Sequence, residues 1–243
     1  MENFDLLVIF GSLVAGGIAS VAGFGVGSIL TPILALNADT KVAVAAVSIP
    51  HLFATALRFW MIRQHIDKKV LLHFGILSAI GGLIGAILNA IFNPTALTLI
   101  FGLILMFAGF TGASGLNEKF KFGHKTAWFM GTLSGLLGGL VGNQGGIRAA
   151  ALLGFNVSRD TFIATATAVG LIVDGARMPV YLATQSAEVF QQSRFLILST
   201  IFVLIGTVFG MLVLKRLSER VFKRAVSGLI LILGIYMTIK GLS

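Results

Sequence analysis

Arg148 is the one charged residue between Lys125 and Arg159. It follows the run Gly142-Asn143-Gln144-Gly145-Gly146, in which two side-chain amides stand among three glycines. Glycine tolerates positive φ and lets other groups approach its backbone amides. A helix restarting after such a bend, at Ile147, has first amides without intrahelical partners and carries the positive end of its dipole. A cation in that first turn opposes the dipole, but it fits if an anion completes the site. Asn143 and Gln144 would then donate to the anion's oxygens. The same kind of bend occurs 119 residues earlier, as Gly23-Phe24-Gly25-Val26-Gly27 followed by Ser28. Phe24 and Gly25 replace the amides there, so the two tips are expected to contribute unequally. The expected substrate-binding set is Gly25, Gly27, Ser28, Asn143, Gln144, Gly145, Gly146 and Arg148. Two plainer readings stand beside it: glycines that only permit tight packing, and an arginine that reaches a nearby carbonyl.

Four further residues form a secondary or gating set. Arg58 and Arg177 are also 119 residues apart and lie inside apolar stretches, where charge is a functional hint by default. Such a pair could draw anions from either face; each is also near enough to a span end to snorkel to the interface. Asp174 sits one turn before Arg177 and can neutralise it, a mainly structural pairing. His51, beside Pro50, falls near the middle of its span. A midplane imidazole could exchange protons near neutral pH and couple transport to a proton gradient; a neutral histidine bonded to a carbonyl fits equally well. Ser48, Thr165 and Thr167 could line a cavity. The other histidines, His65, His73 and His124, have no metal-site spacing. The chain has no cysteine, hence no disulfide, thiolate metal site or thiol redox chemistry. No catalytic residue, metal or cofactor is expected.

The elements that must position these residues are apolar. With 56% hydrophobic residues, 11% charged residues and a mean hydropathy of +0.97, an ordinary soluble domain is excluded. Six stretches are each long enough to cross a hydrocarbon core of about 30 Å: Val42–Ile62, Val70–Phe92, Ala96–Leu116, Thr161–Ala183, Arg194–Leu214 and Val221–Ile239. Two more, Leu6–Leu36 and Ala127–Phe155, are interrupted by glycine. The spacing of 119 recurs without a gap from Gly16, Gly23, Gly27, Leu34, Asn37 and Arg58 to Gly135, Gly142, Gly146, Leu153, Asn156 and Arg177. Further on, FGILSAIGGLIG from Phe74 returns as FLILSTIFVLIG from Phe195. The chain is therefore read as two repeats, 1–117 and 118–243, in one membrane domain. Small-residue pairs such as Gly81/Gly85, Gly135/Gly139 and Gly206/Gly210 offer surfaces for close helix packing.

The net charge of +9 does not point to nucleic acid, because the basic residues cluster in short loops. Arg63, Lys68 and Lys69 form one such loop, Lys119, Lys121 and Lys125 a second, and Lys215 to Arg224 a third. These loops are expected on the cytoplasmic side, with Asn89–Thr95 and Thr184–Ser193, which lack lysine or arginine until Arg194, outside. Counting crossings then makes Leu6–Leu36 and Ala127–Phe155 re-entrant hairpins bent at their glycines, with both termini outside. The arms of the first hairpin are expected to be uneven. The expected fold is an all-α polytopic membrane protein of two inverted repeats, each a glycine-broken helical hairpin followed by three transmembrane helices. Eight full crossings with parallel repeats is the competing topology; it would place Lys215 to Arg224 on the outer face. The acidic start Met1–Asp5 lacks a basic signal-peptide n-region, so the whole chain is taken as mature.

The expected partners are a small anion and the lipid bilayer, with protons as a candidate coupling ion and a homodimer admitted. An intramembrane enzyme is the alternative from another class. Gly112-Ala113-Ser114-Gly115 resembles a rhomboid serine motif, but the only later histidine is His124, in a loop. The pattern Gly23-x-Gly25-x-Gly27-x4-Pro32 resembles the first-repeat signature of the TauE/SafE sulfite exporter family, and Gly142-Asn143-Gln144-Gly145-Gly146-Ile147-Arg148 resembles its second-repeat counterpart. The sequence departs from that pattern at Val26, where glycine is common, and at Ala151, where a second proline is expected. The resemblance implies a bacterial inner-membrane transporter of sulfite, organosulfonates or related small sulfur oxyanions. Alternating access and a channel-like passive facilitator are both open at this stage.

Overall fold

The computed structural model describes residues 2–115, 124–143, 145, 148, 152, 158–213 and 219–242. Among them every regular element is helical. The first repeat contributes α1 (Glu2–Ala22), α2 (Val26–Leu34), α3 (Thr40–Ile62), α4 (Lys68–Ile91) and α5 (Pro94–Ser114), with a 3-10 turn at Arg63–His65. The second contributes α6 (His124–Val141), α7 (Arg159–Gln191), α8 (Ser193–Val213) and α9 (Glu219–Leu242). Between α6 and α7 the described residues Gly145, Arg148 and Leu152 are helical. Seven helices are long and apolar enough to cross a membrane, and a shorter apolar segment covers Trp128–Val141. The chain is a multi-pass membrane protein.

Local chemistry sets the ends. Asp67 accepts from the amides of Lys69 and Val70 at 2.9 and 3.1 Å and starts α4. Asn93 accepts from Ala96 N at 2.7 Å and starts α5, where Pro94 needs no amide partner; Gly115 in the left-handed region (φ 72°) stops it. Five of the six expected spans fall within about three residues of their observed bounds. The exception is α7, which was expected to end at Ala183 and continues to Gln191 through a break at Gln185 (φ −143°, ψ 17°). The polar run after Thr184 stays helical because it keeps one buried edge: Gln185 donates to Asn89 Oδ1 at 3.0 Å, and Val189 is buried. The first hairpin is uneven, with 21 residues in α1 and nine in α2.

Equivalent helices of the two repeats pack in exchange. The helix α1 lies on α8 while its counterpart α6 lies on α4; α4 also lies on α7, and α8 on α3. Both seams are glycine-built and parallel. Gly81 meets the backbone at Thr132 and Gly85 at Leu136; Gly16 meets Val203 and Gly210 meets Gly17. By contrast, α3 and α7 pack on each other antiparallel, Ser48 beside Met178 and His51 beside Asp174. The pair α5 and α9 is antiparallel too, with Gly102 at Thr238 and Gly109 at Leu231.

Two groups of chain ends emerge. Lys41 Nζ donates to Ala90 O and Lys240 Nζ to Ala35 O, while Asn3, Asn37, Gln191 and Arg194 line one cleft. At the opposite end Asp67 N donates to Thr165 Oγ1 at 3.0 Å, and the rings of His73 and Trp128 lie 5.0 Å apart.

The seams yield a direct test. A Cβ on Gly135 collides with the backbone carbonyl of Ser78, whereas one on Gly175 meets nothing within 4 Å. Gly135→Val is expected to cost at least 1–3 kcal/mol, roughly the range for overpacking, and to lower the melting temperature in detergent. Gly175→Ala is expected to leave it unchanged or raise it, since alanine favours the helix by about 1 kcal/mol.

Candidate functional site

The two glycine bends meet. Gly23 (φ 79°) and Gly25 (φ 132°) turn the chain from α1 into α2, and Gly142 (φ 73°) ends α6. These conformations suit glycine and few other residues. Gly27 lies so close to the carbonyl of Gly142 that no Cβ fits between them, and Gly145 lies equally close to Cβ of Phe24. The contact with Gly145 explains why the first bend carries an aromatic side chain where the second carries Asn143. All nine residues of α2 are buried, Ser28 among them.

Arg148 reaches back into this junction. It is 2% exposed; Nη2 lies 3.5 Å from the carbonyl of Gly23, and Nη1 has no hydrogen-bond partner among the described residues. Asn143 is 7% exposed and its Nδ2 is likewise unpartnered among them. A buried donor left unpaired costs about 1–3 kcal/mol, more when charged. The site therefore presents one cationic and one neutral donor that call for an acceptor. Thr31 Oγ1, buried on α2 and also unpartnered among the described residues, lies near Gly142.

Arg58 and Arg177 take matching positions that sequence alone did not disclose. Arg58 Nη1 donates to the carbonyl of Ala19, and Arg177 Nη1 to that of Gly138. Ala19 and Gly138 are themselves repeat-related, each four residues before its bend. The same carbonyls accept the amides of Gly23 and Gly142, both at 3.0 Å. Each arginine thus clamps the C-terminal end of a broken helix, where a cation also complements the dipole. Both are 1% exposed and buried among helices, not drawn out to the membrane interface.

Asp174 joins the clamp to His51. Its Oδ2 lies 2.7 Å from His51 Nδ1 and its Oδ1 pairs with Arg177 Nη2 at 2.8 Å. The position of Asp174 in the first repeat is held by Thr55, whose Oγ1 lies 3.4 Å from both His51 Nδ1 and Arg58 Nη2. The equivalent of His51 is Gly170, and a Cβ there would stand 2.8 Å from Arg148 Nη1. The equivalent of Arg148 is Ile29. One repeat fills this lobe with an imidazole from the span, the other with a guanidinium from the hairpin.

A family model described as sulfite exporter TauE/SafE matches residues 8–237. The chain belongs to this family. Neither a curated protein nor a solved structure matches it.

Of the residues expected to bind substrate in this TauE/SafE protein, Gly25, Gly27, Ser28, Asn143, Gly145 and Arg148 lie at or beside the meeting bends. Gln144 and Gly146 fall outside the described residues, as does Ile147. Of the expected hydroxyls, Thr165 serves to accept the Asp67 amide, and Ser48 donates to the carbonyl of Ala45. Thr167 is buried with an unpartnered Oγ1 among the described residues. Sequence reasoning missed Thr31, Thr55 and Gly170. The signal for Thr55 and Gly170 was available in the repeat offset, which aligns them with Asp174 and His51. Among the described residues no group of three or more metal-ligating side chains occurs.

Removing one member of the clamp strands the other. Asp174→Leu leaves Arg177 without its carboxylate and adds an unpaired buried cation, a loss worth about 3–5 kcal/mol. The double variant Arg177→Leu/Asp174→Leu is expected to be more stable than Asp174→Leu alone, as read by thermal unfolding in detergent.

Proposed function

We propose that this chain transports small sulfur-containing oxyanions, bound at mid-membrane between the two glycine bends, by alternating access. The observation that carries this reading is the buried Arg148 guanidinium, held at the junction of both bends with Nη1 free of protein partners among the described residues. Asn143 supplies a second donor, and the amides after each bend supply further partial positive charge. Family membership supplies the substrate class.

Inverted repeats suit this role, because they place a site at their interface and let two related states exchange. Their support is the antiparallel packing of α3 on α7 and of α5 on α9. A two-fold axis in the membrane plane reverses the direction of equivalent helices, whereas an axis along the normal preserves it. The re-entrant reading is supported by Asn3 and Asn37, the start and end of the first hairpin, which line one cleft. In this arrangement the end bearing Arg63, Lys68 and Lys69 faces the cytoplasm and both termini lie outside. His51, paired with Asp174, is the group that takes up a coupling proton. Arg58 and Arg177 shape the site by holding the broken ends, and their charge attracts the anion without contacting it.

Arg148→Ala is expected to abolish sulfite binding by the purified protein without loss of fold; unchanged affinity defeats the assignment. Gly170→Ala, whose Cβ intrudes on Nη1 at 2.8 Å, is expected to weaken binding while Gly175→Ala on the same helix does not. In the Arg148→Ala background Gly170→Ala becomes neutral or raises the melting temperature, since alanine favours the helix by about 1 kcal/mol and the clash is gone. In sealed vesicles, uphill uptake driven by an imposed proton gradient is expected for the native protein and absent for His51→Gln.

A further inference from the structure

We infer that the anion carried is doubly charged, an inference that rests on the transport reading above and specifies its substrate. Among the described residues, four charged side chains lie in the bundle centre: Arg58, Arg148 and Arg177 at 1–2% exposure, and Asp174 at 0%. The other described carboxylates sit at helix ends or in loops. Arg148 is near enough to Arg58, Arg177 and Asp174 for their charges to interact, and Asp174 interacts with Arg58 and Arg177 as well.

Asp174 cancels Arg177, with which it pairs at 2.8 Å. The carbonyls of Ala19, Gly138 and Gly23 accept guanidinium hydrogens but carry no net charge. Tyr181 contributes none either, since its hydroxyl donates to the carbonyl of Gly139. Arg58 and Arg148 therefore remain, among the described residues, as two uncompensated cations, and guanidinium does not deprotonate in proteins. His51, 2.7 Å from Asp174, adds positive charge when protonated and removes none when neutral. The centre thus holds an excess of two positive charges or more, never one. Buried charge without a counter-charge is strongly unfavourable away from water. A dianion such as sulfate, thiosulfate or sulfoacetate cancels the excess; a simple monosulfonate leaves half of it, and a zwitterion such as taurine leaves it all.

The repeat comparison supplies a charge switch. Thr55 stands where the second repeat has Asp174, and its Oγ1 is 3.4 Å from Arg58 Nη2, so Thr55→Asp would pair Arg58 as Asp174 pairs Arg177. With His51 neutral, this leaves an excess of one.

The experiment is calorimetric titration of the full-length protein in detergent at pH about 8, where an unperturbed histidine is neutral. The probes are sulfate, thiosulfate and methanesulfonate, whose charges are constant around that pH, and taurine, which is mainly zwitterionic there. Sulfate or thiosulfate is expected to bind the native protein at least roughly tenfold more tightly than methanesulfonate, as one extra charge in a partly buried site implies. In Thr55→Asp that preference is expected to vanish or reverse. Equal affinity for methanesulfonate and the dianions in the native protein overturns the inference while leaving anion transport standing, and so does a preference that survives unchanged in a folded Thr55→Asp that still binds. Failure of all four probes, and of sulfite, to bind tells against the transport reading itself. If Thr55→Asp does not fold, the native comparison still decides.

Discussion

A helix broken inside a bilayer exposes carbonyls and amides that no water can satisfy, and each such group costs several kcal/mol. The centre of this molecule is organised around settling that demand. The last turns of α1 and α6 each end at a left-handed glycine, and the carbonyl four residues earlier accepts both the glycine amide and an arginine. Two buried cations are the consequence. Only one, Arg177, has a carboxylate against it among the described residues. Under the proposed function, backbone satisfaction and anion recognition are one problem: groups that make the bends tolerable also create the positive field in which an anion would be stable. Arg148 adds directed donors to that field. Its partial hold on Gly23 O, at 3.5 Å, ties the second hairpin to the first.

Duplication sets the frame, and its departures set the chemistry. His51 next to Asp174 and Thr55 next to Gly170 exchange under the offset of 119 residues, so these four positions would surround the axis of the proposed inverted repeats. A side chain at position 170 and an arginine at 148 would compete for one volume, because the clearance between a Cβ and Nη1 is only 2.8 Å. In the first repeat the competition is resolved the other way, with His51 present and an apolar Ile29. Each repeat supplies one basic group to the axis, but from different elements and with different proton affinity. In the proposed transporter, an identical pair could not serve both as a permanent anion receptor and as a proton acceptor.

Much of the fold was legible because it rests on local signals: apolar length, glycine bends and capping residues such as Asp67 and Asn93. The positions of Arg148 and Asn143 were legible for the same reason, since a helix restart states its own electrostatics. The clamps were not. Nothing in sequence says that Arg58 would find a carbonyl 39 residues away, and only the tertiary fold, which brings this side chain of α3 to the end of α1, decides between that carbonyl and the membrane interface. His51 and Asp174 are separated by 123 residues and meet because α3 and α7 run antiparallel. The continuation of α7 beyond Ala183 was hidden because Thr184–Gln192 is polar overall, while Gln185 and Val189 alone keep it buried. Gly170 matters for the volume it leaves open, which a residue string does not display.

The glycine seams constrain how such a centre could be opened alternately to the two sides. The helix α1 is locked to α8, and α6 to α4; a side chain of any size at Gly16, Gly85 or Gly135 would collide with backbone across the seam. Because packed interfaces of this kind rearrange in discrete steps and do not deform continuously, the rigid units are expected to be α1 with α8 and α6 with α4, not the two halves of the sequence. The surface between them is where α3 meets α7, and that surface holds His51, Thr55, Asp174 and Arg177. A displacement along it alters the His51–Asp174 contact and the grip of Arg177 on Gly138 together. The His51–Asp174 contact and the Arg177 clamp therefore share the boundary between α3 and α7.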